Sequence, residues 1–213
     1  MNARAVNARA VNARAVRIGI TGPIGCGKST IACWLAERPD VVAIDADRVA
    51  RDVLAPGTPE VEAVFARFGQ DLRAADGSLH RAALGRIVFA DPAALHDLEG
   101  IVHPAVRPRI LAAIAGAEAG GATAVVVEAI KLVEGGLAEL CDEVWLITCG
   151  SATQIDRLIG RGLTRADAVA RIAAQRGLAD RLAPSATRVL DTSGTMDEVR
   201  AAVDAAFRAA TAR

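Results

Sequence analysis

Five short runs dense in Val and Ile punctuate the chain, at 17–21, 41–44, 124–128, 143–148 and 187–190, and several are apolar throughout. An alternating run would leave one face polar, whereas a run with no polar face predicts a strand covered on both sides. The stretches between them carry apolar residues at helical spacing. Strands and helices therefore alternate, which predicts an α/β fold with a parallel five-stranded sheet flanked by helices. One interval is too long for a single crossover helix. Residues 46–121 show helical periodicity at 61–68, 81–89 and 93–119, with a turn signal at Ala75-Asp76-Gly77-Ser78. They predict a helical insertion over the carboxyl edge of the sheet, where open α/β folds take their ligands.

Before the first strand the pattern fails. Residues 1–16 read MNARAVNARAVNARAV, a threefold NARAV repeat with arginines and no acids. A period of five matches neither helix nor strand, so 1–16 is expected to be a solvated extension, with the folded domain at 17–213. Deleting residues 2–15 is then expected to leave stability nearly unchanged. An organelle transit peptide would share the arginines but also be rich in serine, which is absent here.

Charge and cysteines narrow the function. Lys+Arg and Asp+Glu both number 25, so no global field of either sign draws the protein to nucleic acid or to a membrane, and neither is expected as a partner. No stretch approaches the roughly 18 apolar residues of a membrane span. Cys26, Cys33, Cys141 and Cys149 show neither a CxxC pair nor zinc-ligand spacing, which suits a reduced, cytoplasmic protein, expected as a monomer or weak homo-oligomer. Any site for a polyanion must therefore be local.

The chain supplies one. Gly22-Pro23-Ile24-Gly25-Cys26-Gly27-Lys28-Ser29-Thr30 contains GxxxxGK[ST] and lies directly between a predicted strand and a predicted helix. A chance glycine-rich cap would not need all three parts in that order. Gly25 and Gly27 let backbone N–H groups turn inward around phosphate, Lys28 reaches the β- and γ-phosphates, Ser29 holds Mg²⁺, and the helix directs its positive end at the charge. Lys28 is expected to face solvent when no ligand is bound.

Such a loop serves kinases, GTPases and motors alike. No Asn-Lys-x-Asp base reader is present, and Asp191-Thr192-Ser193-Gly194 comes after the last strand, where it reads as a polar turn. A small-molecule kinase needs an acceptor-side carboxylate, and Asp45-Ala46-Asp47 closes the second predicted strand. Asp45 suits a helix cap, which leaves Asp47 for the acceptor. Kinases also close cations over the transferring phosphoryl group. Arg157 and Arg161, four apart after the fourth strand, predict a lid over 150–184, with Arg165, Arg171 and Arg176 extending its basic character.

At this point the chain resembles the dephospho-coenzyme A kinase family. The likeness extends from Arg17 to about Ala205 and rests on ITGPIGCGKST, IDADRVARDVLAPG, LHRAALGRIVF, VHPAV, LVEGGL, QIDRLIGR and ARIAAQ, in that order. It implies ATP-dependent phosphorylation of the ribose 3′-hydroxyl of dephospho-CoA with Mg²⁺, on a P-loop kinase core with a helical acceptor-binding insertion and a mobile lid. Position by position, it implies Asp47 as general base, Arg157 as the lid arginine and Lys28 as the loop cation, with Arg81 and His103 near the acceptor; Asp45, from the paired carboxylates, and Arg161, from the lid face, are further candidates for acceptor contact. His103 reads as substrate contact or local structure rather than an acid–base group. Two departures stand out. Pro23 and Cys26 replace a glycine and a serine of the usual loop, and the segment after the third strand reads Glu128-Ala129-Ile130-Lys131-Leu132 in place of an acid followed by x-Pro-Leu-Leu. Glu128 still ends an apolar run, as an acidic Mg²⁺-side residue does, and Lys131 adds a cation suited to the acceptor's pyrophosphate. A P-loop kinase of another nucleoside or small hydroxyl compound, and a nucleotide-binding switch without catalysis, remain the alternatives.

Overall fold

The computed structural model describes residues 14–212. Two compact units divide the chain: one runs to Ile44 and resumes at Ile114, and the other is Asp45–Ala113. In the first, β1 (Val16–Thr21), β2 (Val41–Asp45), β3 (Ala124–Glu128), β4 (Glu143–Thr148) and β5 (Arg188–Asp191) form a five-stranded sheet of order β2-β3-β1-β4-β5. The β1–β3, β1–β4 and β4–β5 pairings are parallel, as the fully apolar strand runs require. On one face, Ile18, Ile20, Val126, Trp145 and Ile147 pack with Ile31 and Leu35 of α1 (Lys28–Ala36) and with Val199 and Val203 of α9 (Met196–Thr211). Leu146, which points to the other face, packs with Leu178 and Leu182, the ends of α8 (Leu178–Leu182). Glu143 is 1% exposed yet satisfied: Arg188 forks onto both carboxylate oxygens at 2.6 and 3.0 Å, and Trp145 Nε1 donates to it at 2.8 Å. Two further helices follow β4: α6 (Ser151–Gly160) and α7 (Arg165–Ala174).

The second unit contains α2 (Ala46–Val53), α3 (Pro59–Phe68), α4 (Arg81–Ala90) and most of α5 (Pro92–Ala119). Thr58 caps α3, accepting from Val61 N at 3.2 Å, and Pro59 occupies the first helical position, where its missing N–H costs nothing. Val61, Val64 and Phe65 are fully buried. The turn at 75–78 is built as its residues suggest: Gly77 sits at φ +80° and the Asp76 carboxylate accepts from Ser78 N. Pro104 and Pro108 lie inside α5 rather than at a helix start, so His103 is a half-buried mid-helix residue.

The N-terminal boundary shifts inward. Residues 1–13, which hold most of the NARAV repeat, lie outside the described residues. However, β1 begins at Val16, Ala15 is 2% exposed, and the Arg14 guanidinium pairs with Asp142. The extension ending at residue 16 is therefore too long, and deletion of 2–15 is no longer expected to be neutral. An exposed ion pair is worth up to about 1 kcal/mol, and a buried alanine adds a contribution of similar size. A deletion ending at Ala15 should melt up to about 4–8 °C below one ending at Ala13. Equal melting temperatures would show that Arg14 and Ala15 contribute nothing.

Candidate active site

The loop between β1 and α1 is shaped by close packing. A Cβ on Gly22, at φ +141°, would lie 2.1 Å from the Ile147 carbonyl oxygen, so β4 leaves room for glycine alone. Gly25 and Gly27 sit at φ +79° and +89°, conformations that L side chains rarely adopt. Gly27 is also the N-cap of α1 and offers no side-chain cap, so no capping side chain competes with an anion for the first N–H groups of α1. Pro23 has no N–H to contribute.

Lys28 differs from its expected solvent-facing pose. It is 7% exposed, and its ammonium donates to the carbonyls of Gly22 at 2.9 Å and Pro23 at 3.0 Å. A buried ammonium must be satisfied, and the loop's own carbonyls accept two of its hydrogen bonds. Ser29, the next residue, donates its hydroxyl to Glu128 Oε1 at 2.6 Å, which joins the loop to the end of β3. Together the two present hard oxygen donors of the kind that suit Mg²⁺. Among the described residues no group of three or more His, Cys, Asp or Glu could hold a metal ion.

Arg157 of α6 reaches the same loop. Its Nη1 donates to Thr192 Oγ1 at 2.8 Å and to the Gly25 carbonyl at 3.4 Å, and its Nη2 donates to the Thr192 carbonyl at 2.7 Å. Thr192 is 2% exposed, and its hydroxyl lies 2.8 Å from the Cys26 carbonyl and 3.1 Å from that of Thr148. One threonine after β5 thus holds the arginine, the loop and the end of β4 in register. Gly27, Thr30, Trp34, Arg157, Arg161 and Met196 are among the residues lining a cavity of about 300 Å³ beside the loop. Its part-apolar wall and two arginines suit a flat aromatic base joined to phosphates.

Ile24 is gripped on both sides. Its N–H donates to Gln175 Oε1 and its carbonyl accepts from Gln154 Nε2, both at 2.7 Å. Cys26 and Cys149 approach to 2.7 Å between sulfurs. The hydrogen bond between them, and then burial, push the Cys26 thiol well up. The same bond, and then the Arg157 charge, hold Cys149 below the usual thiol range.

Within the second unit, Asp45 is the N-cap of α2: its carboxylate accepts from Arg48 N at 2.8 Å and pairs with Arg51 at 3.5 Å. Arg81, the first residue of α4, donates to the Arg51 carbonyl at 2.8 Å. Asp47 is half-buried in the first turn of α2 and is not the cap. The structure therefore gathers the loop residues with Glu128, Arg157 and Arg161 in one unit, and Asp45 with Arg81 in the other. Lys131 is exposed on the segment after β3. Sequence reasoning missed Thr192, Gln175, Trp34 and Cys149 as site residues. For Thr192 a signal existed, since a polar turn leaving the carboxyl end of a parallel strand lies where such sheets bind ligands.

Comparison with known proteins agrees with this architecture. The profile of the dephospho-CoA kinase family matches residues 16–198. A curated dephospho-CoA kinase of Symbiobacterium thermophilum is 46% identical over 91% of this chain and 80% of its own length. Among solved structures, the Thermus thermophilus protein TT1252 superposes with a TM-score of 0.77 at 30% identity, covering 92% of this chain and 98% of that one. The dephospho-CoA kinase of Campylobacter jejuni does so with 0.66 at 25%, covering 90% and 95%. With a loop built for phosphate, an arginine fastened over it and a family match across nearly the whole described chain, the protein belongs to the dephospho-CoA kinase family.

Proposed function

We propose that this chain transfers the γ-phosphoryl group of ATP to the ribose 3′-hydroxyl of dephospho-CoA, giving coenzyme A and ADP. The observation that carries the reading is the Arg157 guanidinium, held 3.4 Å from the Gly25 carbonyl by Thr192. A protein that merely holds nucleotide has no need of a second helix that delivers a cation to the phosphate loop. Mg²⁺, which Ser29 and Glu128 would hold, neutralises charge on the phosphates when bound. Lys28 exchanges its two loop carbonyls for phosphate oxygens, and the N–H groups at the start of α1, which no side chain caps, orient the chain of phosphates. The acceptor oxygen bonds to the γ-phosphorus as the bridging bond to the β-phosphate breaks. Asp47 orients the hydroxyl and takes its proton as the new bond forms, and Arg157 meets the charge spread over the transferring group. Asp45, Arg81, His103, Lys131 and Arg161 are assigned to acceptor contact. The cytoplasm suits this reaction, because four unpaired thiols belong in a reducing compartment. None of the described helices is long and apolar enough to cross a membrane.

Incubation with ATP and Mg²⁺ should phosphorylate dephospho-CoA and leave adenosine and other nucleosides untouched. Equal turnover of a nucleoside would move the assignment to another small-molecule kinase, and no turnover at all would favour the non-catalytic switch. The two carboxylates divide the work. Asp47→Asn keeps size and hydrogen bonding but cannot take a proton, so kcat should fall at least about a hundredfold with little change in ATP affinity. Asp45→Asn should cost about 1 kcal/mol or less, because asparagine also caps helices. If Asp45→Asn is the inactive enzyme, the roles are reversed.

A further inference from the structure

Cys26 and Cys149 stand apart from the other two thiols. Cys33 is exposed on α1, and Cys141 is pushed up to about 12 by burial and then by the Asp142 carboxylate, which leaves it inert. Cys26 lies buried beneath the phosphate loop between two glycines of positive φ. Cys149 lies between β4 and α6 and lines a second cavity, of about 560 Å³, together with Pro23, Gln154 and Gln175. Their sulfurs are 2.7 Å apart, about 0.7 Å more than the roughly 2.05 Å of a covalent S–S bond.

We infer that Cys26 and Cys149 form an oxidant-responsive dithiol whose reversible disulfide modifies the phosphate loop and lowers phosphoryl transfer. The oxidant is a peroxide small enough to enter the cavity. Cys149, which faces that cavity, attacks one peroxide oxygen and becomes a sulfenic acid as the O–O bond breaks, releasing water. The Cys26 sulfur then bonds to Cys149 sulfur and expels a second water, taking up the proton that Cys26 gives up. In sum two thiols and one hydrogen peroxide give one disulfide and two waters, and an external dithiol reverses the change. Charge supports the order of attack, since Arg157 favours the Cys149 thiolate while the buried Cys26 keeps its proton until the second step.

The bond would act on catalysis through two tethers. Drawing the Cys26 sulfur inward turns the peptide groups on either side of it, whose N–H groups belong to the phosphate cradle. Joining Cys149 to the loop also fixes the segment that leads into α6 and Arg157. A misplacement of about 1 Å can cost such a site about a hundredfold in rate.

The effect on turnover rests on the kinase reading, whereas formation of the disulfide does not. The full-length protein is treated with hydrogen peroxide and alkylated, and tryptic peptides are mapped without reduction. The expected product joins peptide 18–28 to peptide 132–157. Because the second peptide holds both Cys141 and Cys149, Cys149→Ser identifies the partner. Kinase activity on dephospho-CoA should fall at least about tenfold with cross-link formation and return with dithiothreitol, and Cys149→Ser should show neither cross-link nor loss. A missing cross-link, one that survives Cys149→Ser, or one that forms without loss of turnover would each overturn the inference. Activity of the untreated protein tests the kinase reading separately.

Discussion

Replacing Lys28 with alanine is expected to cut phosphoryl transfer to below about a thousandth of the wild-type rate, because the charge that meets the β- and γ-phosphates is lost at the point where transition-state charge develops. The buried pose of this lysine adds a second effect. Its ammonium satisfies the Gly22 and Pro23 carbonyls, so Lys28→Ala also leaves two acceptors without their donor and opens a gap beside β1, at a cost of about 1–3 kcal/mol. Lys28→Met keeps the packing of the stem and removes only the charge. Turnover should collapse equally in both variants, and Lys28→Ala should melt lower than Lys28→Met. Measuring kcat together with melting temperature separates the effects. Near-normal kcat in Lys28→Met would remove Lys28 from the chemistry and leave it as a structural tie.

Arg157→Ala should lower kcat by about 10³ or more, the scale of arginines that meet a transferring phosphoryl group, while ATP affinity changes much less. Three hydrogen bonds hold the guanidinium to Thr192 and Gly25, so it is positioned before any ligand arrives and its charge is not lost to a floppy side chain. Arg157→Lys keeps a charge but cannot reproduce the fork onto both Thr192 oxygens, and it should recover only a small part of the rate. Steady-state kinetics over a range of ATP concentrations decides between two roles. A loss confined to KM for ATP would assign Arg157 to the wall of the 300 Å³ cavity, where it also lies.

The sheet and the loop were legible because each left a local signature. β3 is apolar at 124–127, β4 carries Trp145, Leu146 and Ile147 in succession, and the phosphate-loop motif marks a strand-to-helix junction at the carboxyl end of its strand. Asp45 was legible as a cap because aspartate is among the residues preferred at an N-cap, where its side-chain oxygen accepts a backbone N–H of the first turn. Contacts made across long sequence separations could not be seen. Thr192 meets Arg157 and Cys26 only because β5, β4 and the loop after β1 end at one edge of the sheet, and nothing in Asp191-Thr192-Ser193-Gly194 specifies those partners. The same holds for the pose of Lys28, which depends on two carbonyl directions that glycine and proline leave ambiguous in sequence. At the N-terminus the repeat concealed the start of β1, because Arg14, Ala15 and Val16 copy residues of the preceding repeats and no local pattern marks them as the start of a strand.

The grip on Ile24 has a consequence for which sequences can replace this one. Gln175 presents an oxygen to an N–H, whereas Gln154 presents an amide nitrogen to a carbonyl. A change of amide to acid, whether by mutation or by slow deamidation, therefore acts differently at the two positions. At 175 glutamate still offers an acceptor and the bond becomes charge-assisted. At 154 glutamate sets a carboxylate against a carbonyl oxygen at a position only 6% exposed. Position 175 is open to neutral drift and to ageing of the protein, while position 154 is closed to both, although the two side chains hold the same residue.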